Sequence, residues 1–218
     1  MKKALSLLAV FLVAVMWSAS GFSADKYVSG NIGIVWLQDV TFDPAYEYVI
    51  PYPSVDADFD SGITLLGAFG CDYGSYRVEG ELGYQSGDLN NITIDGVALP
   101  VSMEGDLKVL SLLANGYYDI DLGGVELYGT AGVGVARVSF DDISYGLLGS
   151  PDYTEHATTF AYQVGAGLAL PVADDVMIDA RYRYFSTTEF TLDDLNIFEA
   201  ENATVSSHSA LLGLRINL

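Results

Sequence analysis

Eight stretches of this chain alternate apolar and polar residues with a period of two, and the connections joining them alternate between short and long. The stretches lie near 27–37, 61–72, 75–86, 106–118, 124–138, 158–171, 175–186 and 205–218. Successive side chains of an extended strand point to opposite faces, so this period predicts strands with two chemically distinct sides. Three connections are tight turns rich in Asp, Gly and Pro, at CDYGS (71–75), DIDLGG (119–124) and PVADD (171–175). Four are long, at 38–60, 87–105, 139–157 and 187–204. An even strand number, short turns at one end and long loops at the other is the plan of a closed, antiparallel, eight-stranded transmembrane β-barrel.

Which face of each strand points inward decides between that barrel and a water-soluble one. In YRVEGELGYQ (76–85), Arg77, Glu79, Glu81 and Gln85 occupy one side, with Tyr76, Val78, Gly80, Leu82 and Tyr84 on the other. In FAYQVGAGLAL (160–170), Phe160, Tyr162, Val164, Leu168 and Leu170 share a side opposite Gln163 and small residues. VMIDARYRYF (176–185) sets Val176, Ile178, Ala180, Tyr182 and Tyr184 against Asp179, Arg181 and Arg183. HSALLGLRINL (208–218) sets Ala210, Leu212, Leu214, Ile216 and Leu218 against a side that carries Arg215. The fourth and fifth strands are less distinct; Leu110, Leu112, Ala114, Tyr118, Leu127, Ala131, Val133 and Val135 are expected to face outward.

A lipocalin-like soluble barrel would bury the bulky side and expose a well-charged one. Here the polar side is largely small in several strands, which suits a narrow interior. Tyrosines gather toward strand ends, at Tyr27, Tyr76, Tyr84, Tyr118, Tyr162, Tyr182 and Tyr184, where an interfacial aromatic girdle belongs. The charged sides are therefore expected to face the lumen and the apolar sides to face lipid. Arg77, Glu79, Glu81, Asp179, Arg181, Arg183 and Arg215 would then form a mutually paired structural network, because an unpaired buried charge costs several kcal/mol. A gated ion path along the same residues is the alternative.

MKKALSLLAVFLVAVMWSASGFSADK begins with a basic end and an apolar run of about 14 residues, and then a small-residue region; residues 1–24 are expected to be a cleaved signal peptide. No later stretch has the ~18 apolar residues of a membrane helix. Residues 25–218 are expected to be one exported barrel domain in the cell outer membrane. Cys71, the single cysteine, has no internal disulfide partner.

The formal net charge is −20, which argues against nucleic-acid binding. Most of the 29 Asp and Glu fall in the four long segments, which hold no Lys or Arg. A strongly negative rim repels anionic surfaces unless divalent cations bridge them, and attracts basic partners. The partners expected are outer-membrane lipid and lipopolysaccharide, bridged by divalent cations, and an unidentified extracellular partner. DADFDSG (56–62) spaces three acids like the start of a calcium loop, but Ser61 stands at the sixth position and Gly67 at the twelfth, so no metal is assigned. His156 and His208 are the only histidines, and His208 and Ser209, as strand neighbours, point to opposite faces. The Gly-rich GTAGVGVA (129–136) has no phosphate-loop lysine and leads into no helix. No catalytic residue and no cofactor are assigned.

YVSGNIGIVW, YRVEGELGYQ, SLLANGYYDI, LYGTAGVGVARV, YQVGAGLALPV, ARYRYF and HSALLGLRINL together resemble the small outer-membrane β-barrels of opacity-protein or porin-like type, related in plan to the OmpA and OmpX barrels. The resemblance covers nearly all of residues 25–218. It implies insertion by the outer-membrane assembly machinery and a role at the envelope or cell surface. Two departures are Leu127, where the family often has proline, and Leu218, where its chains usually end in an aromatic residue. The expected function is structural or surface-interacting through the four long acidic extracellular loops, and non-enzymatic. A small-solute or ion porin is the alternative, and a lipid hydrolase or protease is further off.

Overall fold

The computed structural model describes residues 24–38, 40–44, 55–94, 97–98, 104–144, 153–192 and 200–218. The expected signal peptide falls outside these residues except for Ala24. The strands are β1 (Asp25–Leu37), β2 (Val40–Pro44), β3 (Val55–Phe59), β4 (Gly62–Asp72), β5 (Tyr76–Ile94), β6 (Val97–Ala98) and β7 (Glu104–Asp121). They continue with β8 (Glu126–Ser144), β9 (Tyr153–Ala173), β10 (Val176–Thr187), β11 (Phe190–Leu192), β12 (Ala200–Ala203) and β13 (Ser206–Asn217). Eight of them, β1, β4, β5, β7, β8, β9, β10 and β13, pair antiparallel in that order, and β13 closes on β1.

The register sets the barrel's dimensions. Direct cross-strand partners lead from Tyr27 to Gly70, Glu79, Asn115, Gly132, Gln163, Phe185 and Ser207, and return to β1 at Leu37, ten residues from the start. With ~3.3 Å per residue and ~4.8 Å between strands, that stagger tilts the strands by ~40° and gives a backbone radius of ~8 Å. Side chains from opposite walls therefore meet at the axis.

At one end the strands join through short turns built by their own residues. Gly74 has φ 93°, and its N–H donates to Asp72 Oδ1 at 2.8 Å. Gly123 and Gly124 have φ 80° and 119°, and Gly123 N–H donates to Asp121 Oδ1 at 2.8 Å. Glycine supplies the positive φ and aspartate satisfies the turning backbone.

The opposite end corrects the expectation of four long connecting loops. Strands β5, β7, β8 and β9 run on unbroken for 19, 18, 19 and 21 residues. The short strands continue the other four: β2 follows β1, β3 precedes β4, β11 follows β10 and β12 precedes β13. They pair in the barrel's own order, β11–β12–β2–β3–β5, and β6 pairs with the end of β5. A 19-residue strand at ~40° tilt rises ~50 Å, well beyond a hydrocarbon layer of ~30 Å. The barrel therefore stands as a tall cylinder with a β-structured upper storey.

Candidate functional site: the lumen and the outer wall

The inward faces carry most of the chain's buried polar groups, stacked in layers. Nearest the short turns, Arg77 forks onto Asp119, with Nε–Oδ2 at 2.7 Å and Nη2–Oδ1 at 2.8 Å. Arg215 Nη2 lies 2.7 Å from Glu126 Oε1, which Arg77 also approaches at 3.6 Å. Above them the Arg77 guanidinium is caged by the rings of Tyr27, Tyr117 and Tyr128, whose centroids lie 5.6, 4.3 and 5.2 Å away. A tyrosine suits this place because its face attracts a cation while its hydroxyl reaches a carboxylate. Tyr27 and Tyr117 both donate to Glu79, the former at 2.9 Å, and Asn115 Nδ2 donates to it at 3.1 Å. Tyr128 donates to Asp179 at 2.8 Å.

Glu81 is the hub of the next layer and has no exposed surface. It accepts from Arg181 Nη1 at 3.0 Å and Gln163 Nε2 at 3.1 Å, and lies 3.5 Å from Arg183 Nη1. Arg181 also donates to the Tyr117 hydroxyl at 3.0 Å, and Arg183 Nη2 to Gln85 Oε1 at 3.2 Å. Four arginines thus face five carboxylates, Glu79, Glu81, Asp119, Glu126 and Asp179, inside one wall. Near-equal numbers of both signs let charges removed from water satisfy one another.

A second, apolar layer closes the lumen toward the upper storey. Leu107, Val109, Leu113, Val138, Phe185, Phe190 and Val205 are buried together, with Leu37 packed against them. The Arg183 guanidinium lies 5.1 Å from the Phe185 ring and marks the boundary between the two layers.

The sequence reading placed Arg77, Glu79, Glu81, Asp179, Arg181, Arg183 and Arg215 on inward faces, and all seven are buried inside the barrel. It placed Gln163 on an inward face without assigning it to the network, and did not single out Asp119, Asn115, Tyr117 or Tyr128; these residues connect those charges. Their signal was alternation itself: each shares the inward parity of its strand. Tyr27 is a correction. It is fully buried and bonded to Glu79 rather than sitting in the girdle. Its parity, which matches Asn31 and Val35, held that information.

On the outer wall stand Ile32, Ile34, Leu65, Leu82, Val133, Phe160, Leu212 and Leu214, all at least 42% exposed. Leu110, Tyr118, Leu127, Ala131 and Val133 are exposed, and Leu112, Ala114 and Val135 partly so, on the outward parity of β7 and β8. Tyr76 and Tyr118 pair near the short turns, and Tyr84, Tyr162, Tyr182 and Tyr184 stand at the other edge of the apolar belt, beside Trp36. Between Tyr76, Tyr118 and Leu127, Gly116 and Gly129 leave an apolar groove of about 660 Å³ facing outward.

His208 lies on this outer wall, with Nδ1 2.6 Å from the Tyr182 hydroxyl and Nε2 3.1 Å from Gln38 Nε2. Ser209 is fully buried on the opposite face, so the two do not form a nucleophile–base pair. His156 is exposed on β9. Asp56 and Asp58 belong to the extended β3 rather than to a ligand loop. Among the described residues, no three His, Cys, Asp or Glu converge as metal ligands.

The family model described as "Outer membrane protein beta-barrel domain" matches residues 5–215. A Rickettsia canadensis protein named as a candidate adhesin is 30% identical over 104 residues, 47% of this chain and 45% of that protein. Outer membrane protein PagN of Salmonella typhimurium is 25% identical, over 55% of this chain and 54% of its own length. The chain spans about half the length of the curated relatives it matches. Among solved structures, Neisserial surface protein A superposes with a TM-score of 0.53 at 20% identity, covering 88% of this chain and 97% of that one. At that identity the likeness is one of fold.

Proposed function

The chain belongs to the outer membrane protein beta-barrel domain family and sits in the cell outer membrane, and from that premise we propose that it works as a non-enzymatic surface-interaction protein. The observation that carries this reading is the filled lumen. A conducting barrel of this radius needs a continuous wet path, whereas Glu81, Gln163, Arg183, Leu113 and Phe185 have 1% exposure or less. With the interior occupied, recognition falls to the upper storey and to the acidic segments it carries, where most of the 29 Asp and Glu lie. An acidic rim suits a basic partner directly and anionic lipopolysaccharide through divalent cations. The name of the Rickettsia relative assigns adhesion to that protein and supports the same direction here. Delivery by the outer-membrane assembly machinery belongs to this reading.

The test pairs two measurements on the same protein. In planar bilayers the barrel is expected to show no stepwise conductance. Cells displaying it are expected to bind basic surfaces more than cells lacking it, with the gain lost in high salt. Reproducible conductance that changes in Arg181→Ala or Glu81→Ala would overturn the reading in favour of a porin.

A further inference from the structure

We propose that Arg137, with Lys108, forms a binding site on the barrel's outer wall for the phosphate groups of outer-leaflet lipid. The register brings these residues together. Leu112, Val135 and Phe160 are direct partners across β7, β8 and β9 and form the last wholly apolar row of the belt. One step beyond, the row reads Leu110, Arg137 and Thr158, and the next reads Lys108, Ser139 and His156. Arg137 is therefore diagonal to both Lys108 and His156 on the same face, at a spacing that long side chains bridge.

Depth selects the ligand. Two residues along a strand tilted by ~40° rise ~5 Å, and each step along a row from β7 to β8 to β9 climbs a further ~3 Å, so above Val135 Arg137 stands about 5 Å, Lys108 about 7 Å and His156 about 13 Å. The headgroup layer occupies roughly the first 5–8 Å outside the hydrocarbon, which is where lipid phosphates reside. Arg137 is exposed, and no ion-pair partner is found for it among the described residues. An arginine facing lipid at headgroup depth needs an anion, and its planar fork fits phosphate in a bidentate manner. Lys108 is held 3.3 Å from Asp106, and Asp88 is the cross-strand partner of Asp106. Both acids lie beyond the Lys108 row, farther from the bilayer than Arg137. The opposite wall presents Trp36, Tyr182, Tyr184 and His208 near the same boundary, so the cationic patch is confined to one side. Excluding Lys2, Lys3 and Lys26 near the N-terminus and the four lumen arginines, Lys108 and Arg137 are the only remaining Lys or Arg in the chain.

The test uses the folded full-length barrel in a neutral detergent, titrated with bisphosphorylated lipid A, with dephosphorylated lipid A, or with inorganic phosphate. The readout is the temperature at which the folded band of an unboiled sample on an SDS gel gives way to the unfolded one. Only the phosphorylated lipid is expected to raise the melting midpoint of the wild type. Arg137→Gln combined with Lys108→Gln is expected to weaken that effect roughly tenfold or more in lipid concentration, and Arg137→Lys, which keeps the charge but not the bidentate fork, to fall between the two. Equal effects of the phosphorylated and dephosphorylated lipids would overturn the proposal, and so would an unchanged response in the double variant. Should that variant fail to fold, the wild-type lipid comparison decides alone. A response to inorganic phosphate at the same concentrations would also overturn it, by showing a free-anion site.

Discussion

Replacing Glu81 with alanine tests whether the lumen is the dry, mutually paired lattice that the proposed function requires. The substitution removes the carboxylate that Arg181 approaches at 3.0 Å and Arg183 at 3.5 Å, together with the acceptor for Gln163 at 3.1 Å. Arg183 keeps Gln85 and Arg181 keeps the Tyr117 hydroxyl, but neither retains the carboxylate they now share. Breaking a buried ion pair from one side costs about 3–5 kcal/mol, because the remaining charge stays out of water. With a urea slope of ~2 kcal/mol/M, the unfolding midpoint should fall by about 2 M. Trp36 provides the probe, since it is the one tryptophan outside the expected signal peptide and lies 46% exposed on the outer wall. Adding Arg183→Ala to Glu81→Ala should cost less than the two single losses combined, which identifies the pair as coupled. A loss below ~1 kcal/mol in Glu81→Ala would mean that water already reaches the guanidinium groups. The dry-lumen reasoning, and the functional reading built on it, would then fail.

The apolar layer gives a second expectation: Phe185→Ala should destabilise the barrel by about 3–5 kcal/mol in the same urea titration, since the side chain is fully buried. Glycines give a matched pair. An added Cβ at Gly132 runs into the Asn115 carboxamide, whereas one at Gly116 meets nothing within 4 Å. Gly132→Ala should therefore cost about 1–3 kcal/mol and Gly116→Ala well under 1, read as gel-shift melting temperatures. Tyr27→Phe removes one donor to buried Glu79 and should cost about 1–3 kcal/mol by the same assay.

Within the belt, the sequence pattern carried both the strands and their facing. Arg77, Glu79 and Glu81 on one parity and Val78, Gly80 and Leu82 on the other admit only one sensible orientation once lipid is the solvent. Lipid on one side and a paired lumen on the other make the two parities chemically unequal, and that inequality is what alternation records. The connecting residues of the lumen were harder to see. Asn115, Gln163, Tyr117 and Tyr128 are neutral, and a charge-based reading passes over them although their parity is correct. Tyr27 was misassigned for a related reason: a tyrosine near a strand end serves equally well as an interfacial anchor or as a buried donor, and only its partners distinguish the two. The upper storey was the least legible part. Once a strand leaves the bilayer its outer side no longer has to be apolar, so the membrane alternation fades while backbone pairing continues. The segments around 87–94 and 139–144 read as loops for that reason and fold as strand.

The same physics explains why the lumen has two layers. Along β7 the apolar residues change parity: Leu110 and Leu112 point outward, while Leu107 and Val109 point inward, with Lys108 outward between them. Along β8, Val133 and Val135 point outward, whereas Ala136 and Val138 point inward beside the outward Arg137. Where hydrocarbon surrounds the barrel, burial of apolar groups is achieved on the outside, and the inside can hold charge. Where water surrounds it, the apolar residues must turn inward to be buried, as in any soluble barrel. The parity change between Leu110 and Lys108, and between Val135 and Arg137, is therefore the edge of the bilayer written in sequence. It also sets the apolar layer at the level where the lumen would otherwise open to the outside.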